Sequence, residues 1–226
     1  MDEESLKVSD ETLIHNLHLF EHNYLTRAAI LAFHGEPENW FIGSYIKIGF
    51  FLNEADISYQ DEVHGPLLYQ VGKTINLVYT KYMKALISYD DGIHRKETFF
   101  FPKEAFRELI LNAVVHKDYS NSAPIQIRVY KDRLVIWNAG EFPSTITPSN
   151  IYNEHISTPH NPYLANIFFR CGFIESWGRG YSKIKGYCER EQANLPKIEF
   201  KQGGVSVSCF ASPNYINLSN QIDNMI

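Results

Sequence analysis

The chain has only three cysteines in 226 residues, Cys171, Cys188 and Cys209, odd in number and widely spaced. Neither a disulfide framework nor a Cys₄ zinc site is indicated by such usage. No apolar run reaches the roughly 18 residues of a membrane span, and the first residues are acidic where a signal peptide would be basic. A cytoplasmic protein with no membrane partner is therefore expected. An excess of positive charge is also missing: the formal net charge is −5 and the pI about 6.0. That argues against a grip on nucleic acid through the overall field, so contact with DNA is expected only through flanking domains. There is no internal repeat and no complete phosphate loop. Val71-Gly72-Lys73-Thr74 has the tail of one, but Leu67 stands where the leading glycine should be, the nearest upstream glycine is Gly65, and the segment lies in a helical pattern. A RecA-type motor has no site here.

What is present is enough apolar material for a substantial core, 44% hydrophobic with 21% charged residues. The most informative stretch runs from Phe106 to Asp118. Read at helical period, it places Glu108, Asn112 and His116 on one face, with Phe106, Leu109, Ala113 and Val114 on the faces between. An amide oxygen suits a hard cation that keeps several of its own waters, and a nearby carboxylate can orient a water for attack on a phosphate. The same spacing also describes the wet side of an ordinary amphipathic helix. Two glycine motifs follow in order. Ile136-Trp137-Asn138-Ala139-Gly140 closes a strand run, and Glu175-Ser176-Trp177-Gly178-Arg179-Gly180 opens a helical run. A helix beginning at closely spaced glycines offers bare N–H groups and a positive dipole end to phosphates, although a turn glycine pair before a helix is common.

In this order of motifs the sequence resembles the GHKL ATPase superfamily with its Bergerat fold. More closely, it resembles the divergent ATPase-like region of bacterial RecG-related proteins, which usually follows a Schlafen/AlbA-type DNA-binding domain. The resemblance runs from about Leu25 to about Phe210. Its marks are Leu25 to Phe33, Tyr45-Ile46-Lys47-Ile48-Gly49, Glu108 to Ser120, Asn161-Pro162-Tyr163-Leu164-Ala165, and Gly172 to Gly180. It implies ATP and Mg²⁺ as cofactors, with Asn112 as the metal and phosphate ligand and Glu108 as the candidate base. Gly140 would let the chain pass close under adenine, and Gly178, Arg179 and Gly180 would line the phosphates. Two positions depart from the family. Asn138 stands where the superfamily has an Asp for the adenine amino group, and its amide can accept from that group and donate to the adjacent ring nitrogen. His160 stands where Arg is frequent, and is a weaker, mostly neutral phosphate partner near pH 7. His116 could touch a phosphate, tune Glu108, or donate to a carbonyl at the helix end.

The expected fold class is α+β: a GHKL/Bergerat-like sandwich, helices on one face of a mainly antiparallel sheet, with a smaller N-terminal α/β companion. Residues 1–23 read as a helical lead, 24–101 as the companion, 102–212 as the ATP-binding domain and 213–226 as a frayed polar tail. Strands are predicted at 28–33, 45–51 and 96–100, and a long helix from Gly65 to about Ile87. The Asn112 helix follows Pro102, with hairpins at 125–137 and 198–210, a lid or loop over 141–156, a helix over 163–170 capped by Asn161-Pro162, and another over 179–191. Lys117, Asp118 and Tyr119 are taken as solvated. His15, His18 and His22 could meet on a helix as metal ligands, but packing or solvated histidines are the simpler reading. Three functions follow from different classes: an ATP-binding switch in a DNA-linked regulator, a slow Mg-dependent ATP hydrolase, or a nucleotide-free scaffold that forms a homodimer.

Overall fold

The computed structural model describes residues 9–90, 93–142, 146–148, 150–153, 158–175 and 178–223. In chain order the elements are α1 (Asp10–Asn16), β1 (Phe20–Glu21), β2 (Tyr24–Leu25), α2 (Arg27–Phe33), β3 (Ile46–Phe51), β4 (Ile57–Val63), α3 (Leu67–Leu77), β5 (Leu86–Asp90), β6 (His94–Thr98) and α4 (Lys103–His116). They continue with β7 (Ile125–Val129), β8 (Arg133–Ala139), α5 (Pro162–Arg170), α6 (Gly180–Arg190), β9 (Lys197–Lys201), β10 (Gly204–Phe210) and α7 (Pro213–Asp223). A six-stranded sheet in the order β4-β3-β7-β8-β10-β9 forms the centre. The β3–β7 pair is parallel and every other pair is antiparallel, so the fold is α+β with a mixed sheet.

Alternation decides which side of the sheet is covered. In β7, Ile125, Ile127 and Val129 are buried while Gln126 and Arg128 are only partly so. In β8, Leu134 and Ile136 are buried in the same phase, which carries Asn138 to the same face two residues on. Helix α4 packs on this sheet at β8 and against α3, α5 and α6. Such a position explains its composition, since nine of its residues are buried, Glu108 among them. Because β3 and β4 belong to the same sheet as β7 to β10, the apolar core runs without a break from Ala28 to Ala211.

Several local expectations are overturned. Residues 28–33 form α2 instead of a strand: the Thr26 side chain accepts from the Ala29 N–H at 3.2 Å, and Ala28, Ala29, Leu31 and Ala32 are buried at helical spacing. The predicted helix to Ile87 stops earlier. Helix α3 ends at Leu77 and passes into a π turn over Val78–Tyr82, where Tyr79 donates to the Phe101 carbonyl at 2.8 Å and Tyr82 to that of Ile48 at 3.1 Å. Ile87 then lies in β5, which pairs with β6 in a separate hairpin, so the strand predicted over 96–100 is shifted to His94–Thr98. Strand β4 was not foreseen because Gln60, Asp61 and Glu62 break its apolar pattern. The tail from Pro213 is helical, not frayed: Ser212 accepts from the Tyr215 N–H at 3.2 Å, Pro213 takes the first helical position, and Tyr215 stacks edge-on against Phe100.

Among the described residues the only helix of the lead is α1, followed by the short strand β1, and His18 and His22 lie beyond that helix at φ 53° and 49°. The three histidines therefore share no helix, and no group of three or more acidic, Cys or His side chains among the described residues can hold a metal. Val71 and Thr74 are buried inside α3, so the Gly72-Lys73-Thr74 tail is no phosphate loop. Parts of the expected lid (143–145, 149 and 154–156), residue 157, the pair Ser176-Trp177, and residues 1–8 and 224–226 of the two ends lie outside the described residues. Among the described residues no helix is long and apolar enough to cross a membrane.

Candidate functional site

The site lies where the middle of α4 faces the beginning of α6. Gly178 has φ +67°, a left-handed conformation that glycine adopts without strain, and it turns the chain so that α6 starts at Gly180. A Cβ placed on Gly180 would stand 3.4 Å from Asn112 Nδ2, 3.5 Å from its Oδ1 and 3.8 Å from Glu108 Oε2. Asn112 therefore presents its amide to the glycine turn, and its buried Nδ2 has no hydrogen-bond partner. A buried donor without a partner costs about 1–3 kcal/mol, a cost that a bound acceptor would offset.

Glu108 sits one turn earlier on α4 and is 8% exposed. Burial pushes its carboxyl above the usual range, Lys183 and Arg107 pull it back down, and Glu175 adds to the rise. Arg107 reaches Glu108 Oε1 at 3.2 Å while donating to the Phe173 carbonyl at 2.8 Å. In the first turn of α6, Lys183 pairs with Glu175 at 2.7 Å, and Arg179 pairs with the same carboxylate at 2.8 Å. Hydrogen bonding to Lys183 is the main cause holding Glu175 below the ordinary carboxylate range.

A cavity of about 110 Å³ opens beside these groups, several times the roughly 10–15 Å³ that admits one water. Its polar end carries Glu108, Asn112, Gly178, Arg179, Gly180 and Lys183. From Asn112 the cavity extends along α4 to His116 and across to Asn138, walled by Leu109, Ala113, Ile136, Val205 and Val207. Glu108 to His116 spans about 12 Å of helix axis. Asn138 is 5% exposed, and its Nδ2 donates to the Ala139 carbonyl at 3.2 Å, so the amide oxygen is the group left to accept.

Seven of the nine sequence-predicted site residues thus line one cavity; Gly140 and His160 do not. Gly140 has φ +138°, and a Cβ there would meet the His116 carbonyl oxygen at 3.0 Å, so its glycine serves a close passage beneath the end of α4. His160 lies near Asp118 and helps to lower its pKa, behind the larger effect of Ser120 hydrogen bonding. Sequence reasoning missed Lys183 and Glu175 as site residues, although a lysine three residues after Gly180 was a readable signal.

It also misjudged Lys117 and Tyr119, while Asp118 is partly exposed. Lys117 is fully buried, donates to the carbonyls of Asp118 at 2.9 Å and Asn121 at 3.1 Å, and lies over the Tyr119 ring. Burial pushes its pKa down to about 8. Tyr119 is buried as well, and the Asp118 N–H donates to the Ala139 carbonyl at 2.9 Å. The Asn161 side chain does not cap its own helix. It donates to the carbonyls of Val115 at 2.9 Å and Lys117 at 2.8 Å, closing the end of α4. This network fixes the wall of the cavity at its Asn138 end.

A mixed sheet covered by helices, with a cavity between the Asn112 helix and a glycine turn, makes an α+β sandwich. Residues 122–209 match the family model described as "Putative ATP-dependent DNA helicase recG C-terminal", and it is this part of the chain that is similar to that family. The match includes Gly140, Gly178 and Gly180 and begins after α4. The crystal structure of the DIP2311 protein from Corynebacterium diphtheriae superposes with a TM-score of 0.71 at 21% identity, over 93% of this chain. The two share the fold, and the chain spans 42% of the length of that protein. No curated protein matches the chain.

Proposed function

We propose that the cavity between α4 and α6 binds an adenine nucleotide, and that this region is an ATP-binding regulatory module of a DNA-linked bacterial protein. The observation that carries the reading is the buried, unpartnered Asn112 Nδ2 facing Gly180, in a cavity that also holds Arg179 and Lys183. Phosphates would lie at this end, against the first N–H groups of α6. The base would lie against the apolar wall, with Asn138 accepting from its amino group.

The oxygens of Asn112 and Glu108 fit Mg²⁺, which in nucleotide sites takes one or two side-chain oxygens together with phosphates and waters instead of a full protein cage. Asn112 would hold the ion, which when bound neutralises phosphate charge. Nucleotide bound there would alter how a DNA-binding domain in the same protein, or a second copy of the chain, is presented. Titration calorimetry with Mg·ATP tests the reading: wild type should bind and Asn112→Ala should bind at least tenfold more weakly. Absence of heat at millimolar nucleotide would overturn it in favour of a nucleotide-free scaffold.

One observation favours slow hydrolysis as a second reading. The buried Glu108 carboxylate has a raised pKa, and a raised carboxylate is a better general base for a positioned water. Turnover that Glu108→Gln abolishes without weakening ATP binding would support it; equal turnover in the two proteins would exclude Glu108 as base.

A further inference from the structure

We infer that Arg179 and Lys183 form a two-cation seat for the outer phosphate of a polyphosphate ligand, and that Glu175 fills this seat as an internal anion until the ligand displaces it. The inference rests on the nucleotide-site reading above and adds to it a competitor carried by the chain itself. Three observations converge on it. Glu175 Oε2 accepts from Arg179 at 2.8 Å, and Oε1 lies 2.7 Å from Lys183 Nζ, so one carboxylate engages both cations with separate oxygens. All three side chains line the same cavity, beside Asn112 and Gly180. Glu175 is also half-exposed, whereas Lys183 is largely covered, with side-chain exposures of 46% and 29%.

A carboxylate with two oxygens on two cations occupies the place a phosphate oxygen pair would take. Because Glu175 has solvent on one side, it can swing out without opening the core, while the covered lysine stays. Exchange is favoured by charge: a terminal phosphate of a nucleotide carries more negative charge than the single carboxylate it replaces. The device therefore sets affinity downward. A ligand without phosphates gains nothing from displacing Glu175, and a ligand with a full phosphate chain does.

The experiment compares wild type, Glu175→Gln, Lys183→Met and Lys183→Arg in titrations with Mg·ATP, inorganic tripolyphosphate and adenosine, at low and at 0.5 M salt. Glu175→Gln should tighten ATP and tripolyphosphate about three- to tenfold at low salt, less at high salt, and leave adenosine unchanged. Lys183→Met should weaken the two phosphate ligands only, and Lys183→Arg should restore them. Unchanged or weaker ATP binding by Glu175→Gln, with wild type binding normally, would overturn the inference and leave the nucleotide site standing. Equal tightening of adenosine would also overturn it, because the gain would then not come from phosphate. No binding of ATP by any of the proteins would remove the nucleotide reading itself. Thermal melts that coincide for all four proteins exclude a folding defect.

Discussion

Replacing Gly180 by alanine separates what the fold needs from what a ligand needs. The new methyl would meet Asn112 Nδ2 at 3.4 Å, Asn112 Oδ1 at 3.5 Å and Glu108 Oε2 at 3.8 Å, all within the range of ordinary van der Waals contact. Gly180 has no left-handed φ, and alanine is preferred to glycine within a helix by roughly 0.5–1 kcal/mol. The protein without ligand should therefore be as stable as wild type or slightly more so, with a melting temperature unchanged or raised by about 2–4 °C. Binding should move the other way. The methyl occupies the gap between the start of α6 and the Asn112 amide, where phosphate oxygens would enter, and forcing atoms into a filled space costs about 1–3 kcal/mol. Affinity for Mg·ATP should fall roughly five- to 150-fold. Calorimetric titration beside a thermal melt reads both effects on one sample. A Gly180→Ala protein that binds Mg·ATP within twofold of wild type would refute the placement of phosphate between these two elements. A large drop in melting temperature would refute the packing on which the placement is built.

Two further outcomes are expected. Gly140→Ala should destabilise the protein by about 1–3 kcal/mol, because its φ is +138° and the new Cβ would press on the His116 carbonyl at 3.0 Å. Its nucleotide affinity, measured on folded protein, should stay within a few fold, since Gly140 does not line the cavity; urea unfolding and titration check the two halves. For Lys117, the folded pKa is pushed down to about 8 from 10.5, so between those values the unfolded chain holds a proton that the folded chain does not. Stability of wild type relative to Lys117→Met should rise with pH across this window, by up to about 1.4 kcal/mol per pH unit, and be flat below it. A difference independent of pH from 7 to 10 in urea unfolding would show that the lysine is not held as the structure places it.

The parts of the site readable in the chain were those written in local code. Helical period put Glu108, Asn112 and His116 on one face of α4, and glycines at 178 and 180 announced the turn into α6. Asn138 was singled out through its glycine motif and the family resemblance, and the structure carries it to the same covered face as Leu134 and Ile136. Gly140 was readable as a glycine that matters but not for its reason, since the carbonyl it passes belongs to His116, 24 positions away. Lys117 looked like a solvated residue after a helix, because nothing nearby in sequence reveals that Asp118 and Asn121 turn their carbonyls back toward its ammonium. Residues 28–33 misled for the opposite reason. A run of apolar residues fits strand and helix alike, and the Thr26 cap that decides between them was overlooked.

Taken alone, the sequence determined α4, α5 and α6 and the β7–β8 and β9–β10 hairpins, because the 3.6- and 2-residue periods and the Gly and Pro signals at their ends act over a few residues. It also showed that Val71-Gly72-Lys73-Thr74 is not a complete phosphate loop, since that loop is a contiguous motif and Leu67 breaks it. Tertiary structure alone decided the parallel pairing of β3 with β7, the closing of the α4 end by Asn161, and the placing of Asn112 beside the Glu175, Arg179 and Lys183 cluster. Each of these depends on groups brought together across the fold, where the energy of a contact is set by distance and burial, neither of which is a property of position along the chain.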